Sequence, residues 1–265
     1  MNNVREVSQF ALLGGTDPAQ GPQAGRLNFP DDPRFVATPR ERFAEFNVAA
    51  AVPAGTVFRP ELPPERRLSW LAPLLPTFNQ KRQDTLAVYG QLDLTQPWDA
   101  GPNRAAAETP LRVLVSYAAP PQAVAGEPAV TQFVGVGGLG LDAPTLPLGR
   151  DNVADPRAGC FRYDGPTPFA AVADGLSQTV LVAEVSTDLG AWLQGGPATV
   201  RTFDTSPDAR SPVGVGGQFG GNHVAGGIFG LADHGVRILT RRTDAKLLAN
   251  LCTVNGGVAE PLPGE

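Results

Sequence analysis

The stretch GGIFGLADHGVRILT, residues 226–240, decides the fold. Two runs rich in branched and aromatic side chains, 226–232 and 235–240, flank Asp233-His234-Gly235. This is the pattern of two strands joined by a tight loop. Gly235 is expected to take the left-handed conformation such a loop needs, with the Asp233 carboxylate accepting from the turn's amides. Working outward, LRVLVSY (111–117), TQFVGVG (131–137) and TVLVAEV (179–185) are further short runs of strand-forming residues, bounded by Gly, Pro and Asp. Beyond a short helix near 38–51, helical pattern is found at 79–89 and in a closing segment from Thr243 to Leu251, with Leu247, Leu248 and Leu251 on its apolar side. Strands without regularly interleaved helices predict an α+β fold with an antiparallel sheet.

Composition agrees with many short elements. The 265 residues include 31 glycines and 27 prolines, about a fifth of the chain, which suits strands and turns better than long helices. Hydrophobic residues make up 42% and charged residues 18%, enough for a true core. Residues 1–37, rich in Gly, Pro, Asp and Gln, read as an extended arm; 38–265 read as one domain. That domain opens with a short helix in which Thr38 is the N-cap and Pro39 the first helical residue, ending near Ala51 before Pro53 and Gly55.

A net charge of −5 argues against a nucleic-acid surface, and the pairs Arg66-Arg67 and Arg241-Arg242 are too short to change that. The first residues, MNNVREVSQFALLGG, lack the basic-then-apolar pattern of an export signal, and Phe10 to Leu13 is too short to span a bilayer. No direct membrane insertion is therefore expected of this chain. Cys160 and Cys252 are the only cysteines, and their pairing is left open by the sequence.

No constellation for chemistry assembles. There is no G-x-S-x-G elbow, and only His223 and His234 could serve as bases. Ser177 in DGLSQT reads as a turn or cap residue. Zinc-ligand spacings are absent; Asp151, Asn152 and Asp155 have calcium-compatible oxygens but read as a surface loop. Gly135, Gly137 and Gly140 form a G-x-G-x-x-G, yet Leu141-Asp142-Ala143-Pro144 follows where a helix is required. His223 lies ten residues before Asp233; the two would meet only if the chain folds back, and a histidine holding a loop against the sheet is the simpler reading. No catalytic residue, metal or cofactor is expected.

These segments, in this order, resemble a planctomycete-type, prepilin-like family of unknown function with a C-terminal His-x9-Asp-Gly signature. The resemblance rests on LSWLAPLLPTFNQ (68–80) with Trp70, on Pro97-Trp98-Asp99 with Asn103 shortly after, and on Phe133-Val134-Gly135. It rests most on DGLSQTVLVAE (174–184), which carries Asp174, Gly175, Ser177, Thr179 and Glu184, and on Phe219, Gly220, His223 and Asp233. It spans about Val52 to Glu260. The family's prepilin peptide and apolar helix have no counterpart here, its Cys-Pro step appears as Ser116-Tyr117, and its Asp-Gly appears as Asp233-His234 with Gly235 one place later. The resemblance implies a pseudopilin-like head at the cell surface or in the periplasm.

Two functions follow as expectations. The first is a non-catalytic structural protein that assembles with itself or other subunits into a filament, surface layer or larger complex, with residues 1–37 adding a strand to a neighbour's exposed sheet edge. The second is a solute- or carbohydrate-binding module, with Trp70, Trp98 or Trp192 as an aromatic platform. Burial of those tryptophans in the core is the competing reading.

Overall fold

A computed structural model describes residues 51–78, 83–116, 124–223 and 226–257. The expected arm and the helix from Thr38 lie outside these residues, although Ala51 itself sits in a strand.

Among the described residues, seven strands form two sheets. Strands β1 (Ala51–Val52) and β3 (Thr167–Pro168) make a two-residue antiparallel pair. The main sheet contains β2 (Phe133–Leu139), β4 (Val180–Glu184), β5 (Val200–Phe203), β6 (Gly227–Leu231) and β7 (Val236–Leu239), in the order β5-β2-β4-β6-β7. Three α-helices are present among the described residues: α1 (Gln83–Gln91), α2 (Gly101–Ala107) and α3 (Ala245–Leu251). The fold is α+β.

The hairpin that opens the sequence reading is β6–β7, with Gly227 opposite Leu239 and Gly230 opposite Val236. Its neighbours β4 and β2 are antiparallel as expected, but the sheet is mixed. β5 runs parallel to β2, Gly135 facing Val200. Four residues, VRTF, are too few to show a strand period. The chain between β4 and β5 carries β5 across to the far side of β2, and such a return places it parallel.

LRVLVSY is the other departure. Arg112–Leu114 forms a 3-10 turn in place of a strand, and Val113 and Leu114 are buried. Its branched residues fill the core, while the turn is fixed by bonds to the segment leading into β2. The amide of Gln132 donates to the Leu114 carbonyl at 2.9 Å, and the Gln132 side-chain oxygen accepts from the Ser116 amide at 2.6 Å.

Both faces of the sheet are covered, so β4 is buried throughout and β2 nearly so, rather than alternating. One apolar layer joins Phe133, Val182 and Ile228 to Trp70, Phe161, Trp192 and residues of α1 and α2. The opposite layer joins Val134, Phe203 and Phe229 to Phe219 and to Leu248 and Leu251 of α3. The Asp244 carboxylate caps α3 by accepting from the amides of Lys246 and Leu247.

The Pro-Trp-Asp step is a clasp. Asn103, fully buried on α2, donates through Nδ2 to the carbonyls of Asp93 (2.8 Å) and Pro97 (3.0 Å). Its Oδ1 accepts from the Asp93 amide at 2.8 Å. The loop is thereby closed by one side chain acting as a surrogate backbone. The Trp98 indole donates to the Glu65 carbonyl at 2.9 Å, and Arg66 reaches Asp99 at 3.2 Å.

Cys160 and Cys252 are both free and buried. Burial pushes the Cys160 thiol up to about 12 and raises Cys252 further, so neither is a nucleophile at neutral pH. A chromogenic thiol reagent should therefore label neither cysteine in the native protein and both after unfolding without reductant; no labelling after unfolding would mean a disulfide. Replacing Asn103 with Leu should lower unfolding stability by about 2–4 kcal/mol in urea titrations, since it strands the loop's amide and carbonyls.

Candidate functional site

The motif residues divide between the two ends of β4. At its start, Asp174 binds the chain beyond α3. Its carboxylate accepts from the amides of Gly256 (2.9 Å) and Gly257 (3.1 Å), and its own amide donates to the Val254 carbonyl. Gly175 follows with φ +93°, a conformation in which a side chain is strained. Its carbonyl accepts from the Thr179 hydroxyl at 3.0 Å, and Thr179 in turn accepts the amide of Ala232. Ser177 is half-buried in the short 3-10 turn Leu176–Gln178. This end of β4 thus joins three segments.

Glu184 stands at the other end, about 13 Å along a strand that rises roughly 3.3 Å per residue. It pairs across the sheet with Phe133, and its carbonyl accepts from the Gly220 amide at 2.6 Å. The side chain is fully buried, and neither carboxylate oxygen has a hydrogen-bond partner. Gly221 lies directly against this carboxylate, so closely that a Cβ would overlap it. His223 Nε2 is 3.9 Å from Glu184 Oε1, with the imidazole 42% exposed.

His223 therefore does bring a loop to the sheet, but its acidic neighbour is Glu184 and not Asp233. The spacing of His223 and Asp233 in the sequence had suggested only the second pairing. Asp233 instead accepts from the Gly235 amide at 2.8 Å, inside the hairpin loop. Sequence reasoning placed Glu184 in the strand motif and missed its contact with the loop, because 39 positions separate it from His223 and no local period links them.

The loop before His223 is held from beneath. Phe219 is fully buried between Phe203 and Phe229, at ring separations of 6.3 Å and 6.0 Å. Its carbonyl accepts from the Gly214 amide at 2.9 Å. Gly220 has φ +119° and packs on the Gly214 backbone, leaving no space for a Cβ.

The hairpin turn corrects a second expectation. The residue in the left-handed region is His234, at φ +71°, and not Gly235. The left-handed place of Asp-Gly has thus not moved along the chain; a histidine occupies it. Gly235 serves close approach, since a Cβ there would lie 2.8 Å from Asp233 Oδ1.

The tryptophans do not form a platform. Trp70 and Trp192 are fully buried and donate to the carbonyls of Thr199 and Thr109, while Trp98 is half-buried. The glycines at 135 and 137 lie inside β2, where Phe161 and Pro144 cover them; they do not form a phosphate loop. Asp155 accepts from the Arg157 amide, and among the described residues no three His, Cys, Asp or Glu side chains gather to hold a metal.

His234→Gly should raise unfolding stability by about 0.5–1 kcal/mol, because a non-glycine residue in the left-handed region is disfavoured. Gly221→Ala should lower it by about 1–3 kcal/mol, the usual range for overpacking, in the same urea titrations.

No curated protein and no solved structure matches the chain. A family match does cover residues 48–206. It takes in Trp70, Pro97-Trp98-Asp99 and the whole of Asp174 to Glu184, and stops before Phe219 and His223. On this match, which spans more than half of its residues, the chain belongs to SBP_bac_10, the family described as "Protein of unknown function (DUF1559)".

Proposed function

We propose that the chain is a non-catalytic structural protein, a pseudopilin-like subunit that assembles with copies of itself or with other subunits. The observation that carries this reading is the edge of the main sheet. β7 pairs with β6 on one side, and among the described residues no strand pairs with its other side. Ile238 on β7 is 45% exposed. A strand edge with an exposed branched residue is a template for another extended segment. Residues 1–37 of a second copy, rich in Gly, Pro, Asp and Gln, are the candidate for that role, and a strand added there would extend the sheet without disturbing either apolar layer.

The polar motif residues support the same reading. Asp174, Thr179, Asn103 and Asp233 each bind backbone groups of the chain itself, so they build a shape instead of presenting reactive groups. A solute- or carbohydrate-binding module is less well supported, because two of its three candidate tryptophans are inside the core.

Light scattering over a range of concentrations tests the proposal. The mass should rise with concentration, and both Ile238→Lys and deletion of residues 1–37 should reduce that rise while circular dichroism stays unchanged. A strict monomer at every concentration would sink the reading.

A further inference from the structure

We propose that Glu184 and His223 form half of a binding site for a zinc-class divalent cation, entered from the His223 side. This inference stands independently of the assembly reading.

The starting point is the buried carboxylate. Glu184 is fully buried, and both of its oxygens lack a hydrogen-bond partner. An ionised carboxylate in that position is among the most costly groups to bury unpaired. Protonation does not resolve the difficulty, since the neutral acid carries an O–H donor that also needs an acceptor. Neither oxygen has one.

The imidazole alone is too distant. His223 Nε2 is 3.9 Å from Oε1, beyond hydrogen-bond length. That separation does match a bridging ion. Zinc bonds to imidazole nitrogen at about 2.0–2.1 Å and to carboxylate oxygen at about 2.0–2.2 Å. The two ligand atoms then lie about 3.4 Å apart at a tetrahedral angle and just over 4 Å apart when collinear. A closure of about half an ångström would reach tetrahedral geometry. Gly220 and Gly221 lie three and two residues before His223 and are packed in place, so the shift falls to rotation of the His223 side chain, which is 42% exposed.

The donor chemistry selects the ion. Imidazole with a carboxylate suits zinc and its neighbours, whereas calcium and magnesium take oxygens alone. Entry is open because the His223 side chain is 42% exposed. Ser186 lies two residues past Glu184, just beyond the end of β4. Its hydroxyl oxygen is likewise buried without a partner. Gly221 packs directly on the carboxylate, and a Cβ there would overlap both of its oxygens and displace it. Water fills the remaining positions, so the chain supplies half a coordination shell.

Calorimetric titration of the full chain with zinc chloride at neutral pH tests the site. One ion per chain is expected, with a raised thermal midpoint. Glu184→Gln and His223→Ala should each weaken binding by about tenfold or more, at least the loss seen when a metal site's supporting contacts are removed. His234→Gln should leave it unchanged, which separates this site from general histidine affinity. Calcium and magnesium at equal concentration should not displace zinc. Should Glu184→Gln fail to fold, His223→Ala decides alone, since it removes a partly exposed group. Absence of binding at millimolar zinc overturns the proposal, as does binding that survives His223→Ala or a folded Glu184→Gln.

Discussion

The pairing of β2 with β4, which sets Phe133 opposite Glu184 and Gly135 opposite Val182, places two deeply buried strands at the heart of the sheet. Because apolar layers cover both faces there, neither strand can turn a polar side to water. Much of the surrounding structure answers this constraint. Segments without regular secondary structure must supply the covering side chains, and they must bring their own peptide groups out of water to do so. Trp70 and Trp192 illustrate the solution: each buries a large ring and passes its indole N–H to a carbonyl of a neighbouring loop. Covering the sheet and satisfying the loops are therefore one task, shared by the same residues.

Glycine follows from the same constraint at the centre of β2. Phe161 lies against Gly135, and Pro144 against Gly137, at distances no Cβ would permit. A strand buried on both faces normally packs side chain against side chain; here the ring comes down to the backbone. The sequence reading recognised Gly135, Gly137 and Gly140 as a spaced triplet and set aside phosphate binding because no helix follows. The structural reason lies in the rings of Pro144, from the stretch that follows the triplet, and of Phe161 farther along the chain, which use the space.

What was legible in the sequence was what is local. The β6–β7 hairpin, β2, β4 and the closing helix each carry a period or a cap within a few residues, and each lies within a residue or two of its expected place. β5 was not legible, since VRTF is a strand only because β2 stands beside it. LRVLVSY misled because β-branched residues signal burial as much as pairing, and in Arg112–Leu114 burial was their whole role. The hairpin loop shows the same limit at finer scale. Gly235 looked like the left-handed residue by type, yet His234 holds that conformation, its amide bonding to Leu231 and the Asp233 carboxylate bracing the next peptide. Residue preference is a weak prior, and the geometry of two strands meeting overrides it.

The motif residues Asp174 and Glu184 look equivalent in sequence, an acid at each end of one strand, and the structure separates them completely. Asp174 spends both oxygens on backbone amides and so joins the chain beyond α3 to the start of β4. Glu184 spends neither. The difference cannot come from burial alone, since both are buried. It comes from what the adjoining loop offers. Gly256 and Gly257 turn their N–H groups toward Asp174, whereas Gly220 gives its amide to the Glu184 backbone and Gly221 packs against the carboxylate without bonding to it. A loop packed against a carboxylate, without bonding to it, does not stabilise the fold at that point. Stability selects for the first arrangement; the second has a physical rationale only if something else completes it.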